Sequence, residues 1–177
     1  MKTNNILLTG FMGVGKGRLA RELVRMTGFF AIDTDDLIES FENRKIKKIF
    51  QTDGEAYFRN SEQKVADWLE KHVQNTIIST GGGFFAVTNL NRIGTVVYLQ
   101  SDFDAIYEKM MAHPKADKKI KKRPLFQNPE QARELLQSRH PFYTDKADIC
   151  INVAGKSSVD IAAELLNNVP YELSTNS

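Results

Sequence analysis

Five short apolar runs punctuate the chain: Asn5–Thr9, Phe29–Ile32, Thr76–Thr80, Thr95–Leu99 and Ile149–Val153. Each is rich in β-branched or aromatic residues and lacks polar alternation, the pattern of strands buried on both faces of a parallel sheet. Between them, apolar residues recur at helical spacing. Leu19, Leu23 and Met26 predict a helix over Gly15–Met26, and Tyr57, Phe58, Val65, Trp68 and Leu69 predict one over Gly54–His72. Further helices are predicted over Phe103–Met111, Pro129–His140 and Ser157–Asn168. Strands alternating with helices imply an α/β fold built of βαβ units. There is no internal repeat and no linker, so one domain over residues 1–177 is expected.

Composition narrows the class of partner. The 177 residues are 41% hydrophobic, enough to build a sizeable core, and the net charge of +2 is too balanced for a nucleic-acid binder. No apolar run approaches the roughly 18 residues of a membrane span. Cys150 is the sole cysteine, so no internal disulfide forms, which suits a reducing compartment. A soluble, cytoplasmic protein is expected. His72, His113 and His140 are scattered, without metal-ligand spacing.

The chemistry begins where the first apolar run ends. Residues 10–16, G-F-M-G-V-G-K, follow a strand and open an amphipathic helix. Backbone N–H groups of such a loop point inward, the helix N-terminus adds positive potential, and the lysine reaches the β- and γ-phosphates. The pattern continues with Ser or Thr, whose hydroxyl binds magnesium, but this chain has Gly17 followed by Arg18.

Other candidates sit at the carboxyl ends of the predicted strands, where open α/β sheets bind ligands. Asp33-Thr34-Asp35-Asp36 supplies carboxylates for a magnesium shell and for taking a hydroxyl proton; equally, Asp33 or Thr34 caps a helix over Asp35–Ser40. Gly81-Gly82-Gly83 lets backbone approach a ligand, with its N–H groups as an anion nest, or is a flexible turn. Arg59 and Glu62 read most simply as an i,i+3 surface pair, the alternative being a glutamate that orients an arginine on a carboxylate. Six basic residues fall in the nine positions Lys115 to Arg123, either a solvated loop or a lid carrying arginine over phosphates. Arg139, in Ser138-Arg139-His140-Pro141-Phe142-Tyr143 at the end of its helix, faces solvent or the same site.

In order and spacing these motifs resemble the shikimate kinase family from Ile6 to about Leu166. The resemblance rests on Gly10–Lys16, Asp33-Thr34-Asp35, Phe58-Arg59, Gly81–Gly83, Arg123-Pro124-Leu125 and Arg139–Tyr143. It implies a three-layer sandwich around a five-stranded parallel sheet, the P-loop fold of the nucleoside-monophosphate-kinase type. It further implies ATP-dependent phosphorylation of the 3-hydroxyl of shikimate, with Mg2+, in a monomer that binds neither nucleic acid nor membrane. By position, Gly13, Val14, Gly15, Lys16, Gly17 and Arg18 hold the nucleotide. Asp35 binds the reacting hydroxyl and is the base, and Asp33 supports magnesium, through water. Arg59, Arg139 and the Gly81, Gly82 and Gly83 backbone bind shikimate, with Phe50 and Phe58 beside it. Arg123 comes from a mobile lid near 113–126 to act on the transferring phosphate together with Lys16.

Two departures stand out. The family has a hydroxyl residue where this chain has Gly17, and usually a small one where it has Arg18. The lid arginine that packs on adenine is not evident either, with Lys115 or Lys118 as substitutes. The alternative is therefore a catalytically impaired relative that binds nucleotide or shikimate as a regulatory module. A kinase for a different polyol acid is a third reading, and the two arginines argue against a neutral substrate.

Overall fold

The computed structural model describes residues 4–114, 120 and 124–169. Five parallel strands form one sheet in the order β2-β3-β1-β4-β5. They are β1 (Ile6–Thr9), β2 (Phe30–Asp33), β3 (Thr76–Ser79), β4 (Thr95–Gln100) and β5 (Ile149–Asn152). Each lies within a residue or so of the run that predicts it. The helices are α1 (Lys16–Thr27), α2 (Thr34–Glu42), α3 (Ile46–Thr52), α4 (Gly54–His72), α5 (Leu90–Ile93), α6 (Phe103–Met111), α7 (Pro129–Lys146) and α8 (Ser158–Asn168).

Side chains of a strand alternate between faces, and the two faces of the sheet bury separate cores. Ile6, Leu8, Val97 and Leu99 pack on Leu19 and Leu23 of α1 and on Ile161 and Leu165 of α8. Leu7, Ile78 and Val96 face the other way, onto Ala66 and Leu69 of α4 and onto Phe84 and Leu90. A smaller cluster of Ile38, Ile49 and Phe58 joins α2, α3 and α4. Among the described residues, no helix is long and apolar enough to cross a membrane.

Two expectations are corrected. The runs at β2 and β5 are not buried on both faces, because these are the edge strands: Phe30 is 85% exposed and Cys150 is exposed. α7 does not stop at His140 but runs through Pro141 to Lys146. Proline removes one helical N–H, yet the turn beyond it is anchored by the buried Tyr143. Two short helices add to the expected elements: α3, of 7 residues, and α5, of 4, are too short for a helical period to stand out in the sequence.

The topology places the site. From β1 the chain crosses to β2 on one side of the sheet, and from β3 it crosses to β4 on the other. The loops after the neighbouring strands β1 and β3 therefore diverge and leave a crevice at their carboxyl ends.

Candidate active site

The loop after β1 wraps Gly10–Gly15 onto the start of α1. Gly13 has φ +85°, and a Cβ there would come 2.8 Å from Met110 Cε and 3.2 Å from Ile106 Cγ2, so backbone strain and α6 both demand glycine. Gly15 takes the N-cap position of α1 and has no side chain to cap it. The first N–H groups of a helix have no intrahelical carbonyl to bond and so are open to a ligand or a cap. Lys16 Nζ donates to the carbonyls of Gly10 at 2.7 Å and Phe11 at 3.0 Å, curling over the same loop. Apart from its chain neighbours and the backbone of its own helix, nothing lies within 4 Å of where a Cβ on Gly17 would stand. Arg18 is exposed, and its charge joins burial in lowering the ammonium pKa of Lys109 on α6. A cleft of about 290 Å³ opens there, lined by Val14, Ile106, Lys109, Val153 and Gly155.

The capping reading of the aspartate cluster holds for Asp33. Asp33 Oδ1 accepts from the Asp35 amide at 2.9 Å and caps α2. That leaves its second carboxylate oxygen for other work. Asp35, one residue into the helix, has its Oδ1 sealed from solvent without a hydrogen-bond partner. Burial, reinforced by the negative charges of Asp33 and Glu62 and opposed by Lys16, pushes its carboxyl up to about 7.

The glycine turn packs against these carboxylates. A Cβ on Gly81 would fall 2.5 Å from Asp35 Oδ1, and one on Gly83 would overlap the Arg59 guanidinium. Glycine here makes room for charged groups. The turn is not a three-amide nest, however: the Gly81 amide donates to Thr34 Oγ1 at 2.9 Å. The amides of Gly82 and Gly83 have no hydrogen-bond partner among the described residues.

Two arginines flank the turn. Arg59 Nη1 donates to Glu62 Oε2 at 2.6 Å, and its Nη2 to Glu55 Oε1 at 2.8 Å. This is no surface pair, because the Glu62 side chain is only 2% exposed. Its Oε1 lacks a partner, and burial raises its pKa against the pull of Arg59. Arg139 Nη1 donates to the Gly82 carbonyl at 3.2 Å and lies over the Phe85 ring. Phe50 and Phe58 form an apolar wall nearby on α3 and α4, their centroids 4.7 Å apart.

The crevice thus gathers Lys16, Asp33, Asp35, Arg59, Arg139 and the turn. Arg123, Lys115 and Lys118, with most of the expected lid, lie outside the described residues. Among the described residues no cluster of three or more His, Cys, Asp or Glu side chains is built to hold a metal. The sequence pattern alone does not mark Thr34 or Tyr143 as site residues. Tyr143 lies four residues after Arg139, a helical spacing that puts both on one face.

The family model for shikimate kinase matches residues 12–170. A shikimate kinase of Helicobacter hepaticus is 33% identical, covering 96% of this chain and 98% of the relative. One of Persephonella marina is 36% identical, covering 93% and 98%. The solved structure of Acinetobacter baumannii shikimate kinase in complex with shikimate aligns with a TM-score of 0.80 and 31% identity, over 93% of this chain and 92% of that one. The family-model match over most of the chain, the nearly full-length similarity to shikimate kinases and the shared five-stranded architecture make this chain a member of the shikimate kinase family.

Proposed function

We propose that the chain transfers the γ-phosphoryl group of ATP to the 3-hydroxyl of shikimate, producing shikimate 3-phosphate and ADP. The observation that carries this reading is one crevice holding a phosphate loop, a sealed carboxylate and two arginines on either side of a glycine turn. A small acid bearing several hydroxyls needs cations at one end and a base at the other.

In this reading the loop amides and Lys16 grip the phosphates, and the cleft beside Val14 takes the nucleoside. Arg59, aimed by Glu62, and Arg139 hold the shikimate carboxylate. The free amides of Gly82 and Gly83 meet ring oxygens. Asp35 accepts the proton of the attacking hydroxyl; a carboxyl near 7 is a competent base at neutral pH. Arg123, outside the described residues, adds positive charge at the transferring phosphate. The second oxygen of Asp33 holds magnesium through water, and the metal when bound neutralises phosphate charge.

The test is a coupled ADP-release assay with ATP and magnesium. Release that depends on shikimate is expected. ADP release equal with and without shikimate, or none under any condition, would sink the proposal.

Gly17 removes one magnesium ligand and leaves the loop intact. The open space at its Cβ accommodates serine. Gly17→Ser is therefore expected to lower the half-saturating magnesium concentration severalfold, measured by titrating the metal at fixed ATP. The same magnesium dependence in mutant and parent would show that the hydroxyl is not what limits this site.

A further inference from the structure

The glycine turn is fastened at a second point that phosphoryl transfer does not itself use. Tyr143 is buried and stacks on Tyr98 of β4, with ring centroids 5.0 Å apart and planes 22° from parallel. It meets Phe85 edge-on, also at 5.0 Å. Tyr98 is held in turn by a hydrogen bond between its hydroxyl and His140 Nδ1 at 3.0 Å. The ring of Tyr143 therefore has one available position. From it, the Tyr143 hydroxyl donates to the Gly82 carbonyl at 2.5 Å. Burial pushes that hydroxyl up to about 12, so it remains a donor at any working pH.

The same carbonyl accepts from Arg139. A carbonyl oxygen has two lone pairs, and here the tyrosine fills one and the arginine the other. The position of the oxygen decides where Arg139 Nη1 sits, and hence how the planar guanidinium is presented to a ligand. Phe85, the second residue after the turn, supports the guanidinium from its face.

We propose that Tyr143 is a positioning residue for the acid substrate: by sharing the Gly82 carbonyl with Arg139, its hydroxyl sets the orientation of that guanidinium. This rests on the reading that Arg139 meets the shikimate carboxylate. In this arrangement Tyr143 acts through the turn and through Arg139, whose guanidinium also lies against its hydroxyl. Its contribution falls on acid recognition and not on the nucleotide.

The experiment is Tyr143→Phe, which keeps the ring stack and removes one oxygen. Arg139 still satisfies the carbonyl, so the fold is retained. Titration calorimetry is expected to show shikimate binding about tenfold weaker, on the scale of one uncharged hydrogen bond, with ATP affinity unchanged and the kinetic loss on KM rather than kcat. Arg139→Lys keeps the charge but loses the planar fork. In that background Tyr143→Phe is expected to change shikimate affinity less than twofold, because no guanidinium is left to orient. An equal tenfold loss in both backgrounds would overturn the proposal. So would unchanged shikimate affinity accompanied only by a lower melting temperature. A parent that binds no shikimate would overturn the phosphoryl-transfer reading and this inference together; a parent that binds it as well as Tyr143→Phe does would overturn this inference alone.

Discussion

Asp35→Asn is expected to lower turnover by about 10²–10⁴-fold while ATP affinity stays near that of the parent, the usual loss for a positioned base. Asparagine keeps the size and the polarity of the side chain and cannot accept the proton. The substitution has a second, opposite consequence. The folded carboxyl sits at about 7 against an ordinary 3.8, so the folded state holds its proton where the unfolded chain has released it. A raised carboxyl stabilises fully below about pH 4, and that stability drains as pH climbs through 7, at about 1.4 kcal/mol per pH unit at most. Asp35→Asn removes this drain. At pH 8 the inactive variant is expected to melt above the parent, and at pH 4 the difference closes. Parallel measurement of melting temperature and turnover across pH 4–8 checks both halves. Turnover within a few-fold of the parent would remove Asp35 from the chemistry.

Arg59→Ala and Arg139→Ala are each expected to weaken shikimate binding by about 2–5 kcal/mol, the cost of deleting one partner of a desolvated charge pair, and to spare nucleotide binding. The two differ in what they leave behind. Without Arg59, the buried Glu62 carboxylate loses its partner at Oε2 while its Oε1 already has none. Arg59→Ala therefore also destabilises the fold. Without Arg139, the Gly82 carbonyl still has the Tyr143 hydroxyl. Arg139→Ala should lose substrate and keep its melting temperature. Titration calorimetry beside thermal unfolding separates them; unchanged shikimate affinity in either variant would leave that arginine outside the acid site.

Much of this architecture is legible in the order of residues. The strand positions follow from apolar runs because a parallel sheet hides its strands beneath helices. Exposure at the edges does not follow, because Phe30 reads the same whether or not a neighbouring strand and helix cover it. The phosphate loop is legible because its function is written in glycine spacing and one lysine. The state of Glu62 is not: an i,i+3 pair with Arg59 looks identical on a wet helix face and under a glycine turn. The stack of Tyr98 on Tyr143 is also invisible, since it pairs a strand residue with a helix residue that only the assembled sheet brings together.

The two halves of the crevice also differ in how much chain must be in place before they exist. The phosphate loop is local: Lys16 closes on carbonyls five and six residues back. The acid half is knitted by contacts across 47, 57 and 61 residues, from Thr34 to Gly81, Arg139 to Gly82 and Tyr143 to Gly82. A growing polypeptide has its loop residues together early, whereas the turn acquires its arginine and tyrosine only when α7 docks. Long-range closures of this kind come late and cost chain entropy. A ligand spanning Arg59 and Arg139 accordingly binds only the completed fold, and its binding energy is added to the stability of the whole chain rather than to one segment.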